Sequence, residues 1–265
     1  MKPIIAVGLA IAFVAVACSD DDNVKPPQFV YPMTPGYTWY YTSTSISDYD
    51  TAQVIDDAGT VTVDIVDPDS AGELDRPMRF DVTSTFIQTS SPGAWFYNQG
   101  PAGMYLVASC GDASIMTPKR SGSGSDAFAG IPKSLLPDML AGAGCGQSQI
   151  ESWDDHPSAL VYPWRVGKKW TYREPPATPL TIEKHITGYG TVTVPAGKFK
   201  AYHVVWSYDF APDLHVADDI AEIGLVRRVV TLEHQTQWTY ENPFAGSDYT
   251  AIQETVLDSV KIPTD

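Results

Sequence analysis

Apolar and polar residues alternate along most of the chain in short runs bounded by Gly, Pro, Asn and Asp, the pattern of half-buried β-strands. Thr60–Val66 and Arg79–Ile87 read this way, followed by Ala94–Tyr97 and Met104–Ala108. In the second half the pattern covers Thr191–Val194, Phe199–Tyr208, Gly224–Leu232 and Ile252–Ile262. Tyr202, Val204, Trp206 and Tyr208 fall on one face of their run. Just before it, Pro195 suits the second position of a tight turn and Gly197 accepts a positive φ. A hairpin with fixed register is therefore predicted, with Phe199 entering its second strand. No stretch beyond the N-terminal segment sustains a 3.6-residue period, so helix should be scarce. The expected fold is all-β and mainly antiparallel.

One motif occurs twice. Tyr31-Pro32-x-x-x-Gly36-x-x-Trp39-x-Tyr41 returns as Tyr162-Pro163-x-x-x-Gly167-x-x-Trp170-x-Tyr172. Pro and Gly would build a turn, and a strand would then begin with Trp and Tyr on the same face. Such aromatics could form a platform that stacks sugars or lipids. The plainer reading is a pair of core anchors, because a large aromatic buries about 150–250 Å2. The echo divides the chain into 31–150 and 151–265, either two lobes or two parts of one sheet. The second half looks too poor in strands to bury both faces alone, so a single domain over 31–265 is expected.

The N-terminus reads MKPIIAVGLAIAFVAVAC, one Lys and then an apolar run too short to span a bilayer, which needs about 20 residues. Residues 1–17 have the form of a signal peptide. Val14-Ala15-Val16-Ala17-Cys18 resembles the lipobox of bacterial lipoproteins, with Ala15 where Leu is most usual. The resemblance implies cleavage before Cys18 and attachment of diacylglycerol to its thiol. Ala15-x-Ala17 also fits ordinary signal cleavage. Residues 18–30 would form the tether, and Ser19-Asp20-Asp21-Asp22-Asn23 resembles the acidic tag of surface-exported lipoproteins. A merely solvated spacer would look similar, since like charges repel and extend a linker.

The GxxWxY motif at Gly167, Trp170 and Tyr172 is followed by Val194-Pro195-Ala196-Gly197-x-Phe199 and Gly224-Leu225-Val226. This series is similar to a group of exported bacterial proteins of the DUF3108-like kind. The resemblance implies a large curved antiparallel sheet or half-barrel, LolA-like, and it implies no catalytic residue. It is close over roughly 162–230 and reaches the first half only through the aromatic echo.

Composition narrows the classes. Of 265 residues, 43% are hydrophobic, which excludes wholesale disorder, and the net charge of −15 argues against a nucleic-acid partner. Cysteines occur at Cys18, Cys110 and Cys145. With Cys18 lipidated, an exported domain would pair Cys110 with Cys145, and free thiols are the alternative. The bridge would close a Gly-, Ser- and Pro-rich loop and contribute roughly 4 kcal/mol in the chain-entropy picture. Pro132–Leu140 within it suggests one short helical turn.

Candidate chemistry is thin. His156, His185, His203, His215 and His234 form no metal-binding motif, and no serine elbow or phosphate-binding glycine loop is present. His203 lies opposite the aromatic face of its strand. Asp67–Met78 is a poor match to a calcium loop, lacking an acid or amide at Ala71 and a Glu at Met78. Asp154-Asp155-His156 and Asp218-Asp219 could ligate metal or act as carboxylate pairs, but read more simply as solvated loops. No catalytic residue, metal or cofactor is expected. The expected protein is an outer-membrane lipoprotein, displayed at the cell surface rather than the periplasmic face. Its β-domain would be non-enzymatic, structural or binding an apolar ligand, a glycan or a protein partner. The alternative is an extracellular hydrolase acting on polysaccharide or protein.

Overall fold

Every regular element among the described residues is a β-strand. The computed structural model describes residues 26–47, 55–65, 78–84, 93–110, 150–152, 157–173, 181–209, 211–237 and 247–264. The strands are Thr38–Ser47 (β1), Ile55–Ile65 (β2), Met78–Ser84 (β3), Gly93–Gly100 (β4), Gly103–Cys110 (β5), Ile150–Ser152 (β6) and Ser158–Val161 (β7). Then follow Lys169–Arg173 (β8), Ile182–Val194 (β9), Gly197–Tyr208 (β10), Leu214–Ala221 (β11), Gly224–Gln237 (β12) and Ser247–Lys261 (β13).

All these strands join one sheet, in the order β6-β5-β4-β3-β2-β1-β13-β12-β11-β10-β9-β8, with β7 also pairing β5. Every pairing is antiparallel. The order resolves into two meanders, β1–β5 and β8–β13, joined where β1 lies against β13 from Thr38↔Lys261 to Ser47↔Ala251. Each copy of the aromatic motif heads one meander. The sheet does not close into a barrel. Its flanks approach where the Trp170 indole donates to the Ser158 carbonyl, 2.9 Å, and Lys184 Nζ to the Ala159 carbonyl, 2.9 Å. No ladder joins β7 to β8.

The core lies on the inner face. Trp39, Trp164, Tyr202, Leu106, Ile182, Ile186, Leu214 and Leu257 are among its fully buried side chains. In β10 the predicted alternation holds: Tyr202, Val204, Trp206 and Tyr208 are all buried. The β9–β10 hairpin turns at Pro195–Gly197, with Gly197 at φ 137°, and its tip bends so that the Ala196 N–H donates to the Leu257 carbonyl of β13, 3.0 Å.

That hairpin marks one end of the sheet. β1 and β12 start there, β11 and β13 end there, and the segment 26–37 and the turn 162–168 lie across it. Gly36 (φ 93°) and Gly167 (φ 87°), equivalent in the two motif copies, both supply the left-handed backbone of a turn. Gly224 (φ 110°) opens β12 so close to Trp39 that a Cβ there would sit 3.0 Å from the indole nitrogen.

Several predicted features lie outside the described residues: Cys18, Cys145, the loop 111–149 with its suggested helical turn, residues 67–77 of the calcium-like loop, and Asp154–His156. Cys110 ends β5, and its side chain is likewise outside the description.

Candidate functional site

Of the two readings of the motif copies, binding platform or core anchors, burial fits the second: both copies enter the core. Trp39 and Tyr41 are buried on β1, and their polar atoms reach the β11–β12 turn: the indole donates to the Ile223 carbonyl at 2.6 Å and the phenol to the Leu225 carbonyl at 2.9 Å. The Tyr31 hydroxyl accepts from the Leu225 N–H, 3.2 Å. Trp170 and Tyr172 are buried on β8. The copies also touch each other, since the Tyr162 hydroxyl accepts from the Tyr31 N–H, 3.0 Å, and from Gln99 Nε2, 2.9 Å. Burial pushes the Tyr31 hydroxyl up to about 12 and Tyr41 well above the usual tyrosine range, so both stay neutral hydrogen-bonding groups. Of the remaining motif residues, Pro195 and Gly197 form the hairpin turn and Phe199 packs part-buried against the core.

Sequence reading missed a charged cluster on the inner face. Asp218 of β11 receives Arg228 of β12 through two bonds, Nε to Oδ1 at 2.6 Å and a terminal nitrogen to Oδ2 at 2.8 Å. The Trp206 indole donates to the same Oδ2 at 2.9 Å. Lys184 of β9 stands directly across from Trp206, its ammonium 3.6 Å from that ring centroid and 4.1 Å from the Tyr172 ring. All three ionic side chains are buried. A bidentate carboxylate and an ammonium between two aromatic rings are the arrangements that make burying such charges tolerable.

The outer face carries a second set. His203 Nδ1 lies 2.9 Å from Asp219 Oδ1, Arg227 lies 3.9 Å from the other Asp219 oxygen, and Arg227 Nε donates to Glu254 at 2.8 Å. The hydrogen bond to Asp219 raises the His203 pKa above the ordinary imidazole value, against the opposing effect of partial burial. The set crosses β10 to β13 and holds their outer edges in register.

Asp218 and Asp219 are therefore not a solvated loop. They sit in mid-strand, and the period of two sends their side chains to opposite faces, so they cannot act as one carboxylate pair. His185 and His215 lie on β9 and β11, and His215 Nε2 is 3.7 Å from Glu233. His234 takes φ 54° where the β12–β13 register shifts. Among the described residues no group of three or more His, Cys, Asp or Glu could hold a metal ion. The Asp218-Arg228 pairing had one weak signal in the sequence: opposite charges at positions that a meander brings together.

No protein-family model and no curated protein matches the chain. Two solved structures are similar in shape. One is a predicted exported protein with a YmcC-like fold from Bacteroides fragilis, at 13% identity and TM-score 0.42, covering 89% of this chain and 100% of the other. The second is a predicted lipoprotein from Parabacteroides distasonis, at 13% identity and TM-score 0.37, with the same coverage.

Proposed function

We propose that the chain is an exported lipoprotein of the outer envelope, held by lipid on Cys18, whose β-domain is a non-enzymatic structural or protein-binding module. The observation that carries the non-enzymatic reading is how the inner face is occupied. Trp39, Trp164, Tyr202 and Trp206 fill it, and its carboxylate, Asp218, is engaged by Arg228 and Trp206. A lipid carrier needs an open apolar concavity and a hydrolase needs a cleft with convergent reactive groups. The filled face favours neither. The lipobox, the short acidic tether and the β-domain beginning soon after it support the anchor.

Cells fed radiolabelled palmitate should label the wild-type protein and not Cys18→Ser. Label that persists in the variant overturns the anchor. Display at the cell surface predicts that protease added to intact cells degrades the protein. We read 31–265 as one domain with a Cys110–Cys145 bridge, so the unreduced protein should be lighter by two hydrogens than its reduced form.

A further inference from the structure

The segment 26–31 crosses the hairpin end of the sheet without joining a ladder. It reads Pro26-Pro27-Gln28-Phe29-Val30-Tyr31, and Pro32 follows. Proline fixes φ near −65° and keeps the residue before it out of the helical region, so Pro26, Pro27 and Pro32 favour an extended, polyproline-like chain. Such a strap has little conformational freedom to lose on docking.

It docks on aromatic rings. Trp164, from the turn 162–168, stacks on Tyr202 of β10 with centroids 5.3 Å apart and planes at 17°, and both side chains are fully buried. Phe29 lies against both, at 5.2 Å from the Trp164 ring and 5.8 Å from Tyr202. The same two side chains bind the main chain of the strap. The Tyr202 hydroxyl donates to the Pro27 carbonyl, 3.2 Å, and the Trp164 indole to the Phe29 carbonyl, 2.8 Å. Gln28 Nε2 donates back to the Trp164 carbonyl, 2.8 Å. Apart from one ring and one amide, the groove thus holds groups that every polypeptide has. Proline-rich segments dock on aromatic-lined grooves in this way.

The two ends of the strap are held unequally. Tyr31 is pinned: its hydroxyl accepts from the Leu225 N–H, its N–H donates to the Tyr162 hydroxyl, and its carbonyl accepts from Gln99 Nε2, 3.0 Å. Upstream, Pro27, Gln28 and Val30 are exposed and Phe29 is only half-buried. Residues 26–30 can therefore lift about Tyr31 at much lower cost than opening the sheet. Lifting turns the Trp164 indole and the Tyr202 hydroxyl toward a vacated groove, where an incoming main chain restores their hydrogen bonds.

We infer that the Trp164–Tyr202 groove is a recognition site for an extended segment of a partner protein with proline two residues before an aromatic, the spacing of Pro27 and Phe29, and that residues 26–30 occupy it in cis until such a segment displaces them. The inference rests on the protein-binding form of the reading above and names its partner class; it does not need the lipid. The strap competes as a ligand at about millimolar effective concentration, so a displacing segment must bind more tightly or be held nearby.

The test protein is the full chain with Cys18→Ser, so that no lipid competes for the groove. The probe is a fluorescein-labelled peptide of residues 25–30, Lys-Pro-Pro-Gln-Phe-Val, followed by anisotropy. It should bind the Phe29→Ala variant about ten-fold or more tightly than the parent, because the strap no longer fills the groove. Adding Trp164→Phe keeps a ring, removes the donor and should weaken binding several-fold, as should Tyr202→Phe. A peptide with both prolines replaced by glycine should bind the same variant more weakly than the probe. Equal binding to parent and Phe29→Ala, no binding to either, or no preference for the prolines would overturn the inference. A parent dimer that Trp164→Phe dissolves would also overturn it, since the strap of a second copy would then be the occupant. Should Phe29→Ala fail to fold, the parent decides, with a probe carrying benzoylphenylalanine in place of its Phe. Crosslinks within 162–168 and on β10, competed by unlabelled peptide, support the site. Crosslinks elsewhere refute it while leaving the protein-binding reading standing, and palmitate labelling of Cys18 reports on the anchor alone.

Discussion

Asp218 is an acid placed where a strand normally puts an apolar residue, and its cost is met by Arg228 and Trp206. Removing one member of such a pair leaves the other charge buried. Asp218→Asn should therefore destabilise the protein by about 3–5 kcal/mol, read from the urea midpoint. The double change Asp218→Leu/Arg228→Met should recover most of that loss; a double variant no more stable than the single one would contradict it. On the outer face, His203 is only partly buried, so its contribution is small, but its sign is definite. Its folded pKa is raised by Asp219, so the stabilisation is fully present below the unfolded value of about 6.5 and fades as pH rises through the folded value. Denaturation from pH 5 to 9 should show the parent losing stability relative to Asp219→Asn as pH increases, and the His203 titration by NMR should move down in that variant.

Identical motif residues occupy elements of unequal depth. Trp39 lies on β1, flanked by β2 and β13, while Trp170 lies on β8, which pairs with β9 alone. Trp39→Ala should cost about 3–5 kcal/mol and Trp170→Ala distinctly less in the same denaturation series. Gly103 on β5 backs onto the Leu160 carbonyl of β7, where an added methyl would overlap backbone, so Gly103→Ala should release β7. Faster amide exchange at Leu160 and Val161 would register that. The strands that alternate cleanly, β10 and β12, were legible in the sequence, as was the Pro195–Gly197 turn. β11 and the first half of β9 were not. Their inner positions hold Asp218 and Lys184, so the apolar periodicity breaks where the pairing partner lies on another strand. The candidate site was illegible for the same reason: a buried ion pair is a property of register, and register appears only once the strands are ordered.

At the scale of the molecule, the placement of charge follows from which strands become neighbours: Asp218 meets Arg228 on the inner face, and Asp219, Arg227 and Glu254 meet on the outer. Net charge alone hid this, since −15 describes the sum and not its placement. The sheet order is equally invisible in any local pattern. Two runs of neighbouring strands follow from short connections, but their junction unites β1 with β13, from opposite ends of the chain. A chain ending at residue 246 lacks β13 and should lose the single cooperative unfolding transition of the parent, because β1 and β12 then have no common partner. Circular dichroism during a thermal ramp would show a broad or absent transition in its place.

That junction also fixes a schedule. A chain delivered N-terminus first presents β1, with one long edge unpaired, before any of β13 has arrived. Contacts this distant in sequence form slowly, and an open edge is a template for pairing with other chains. Every molecule thus passes through an interval in which its central strand is an outer one, and the last fifteen-residue strand to emerge ends that exposure.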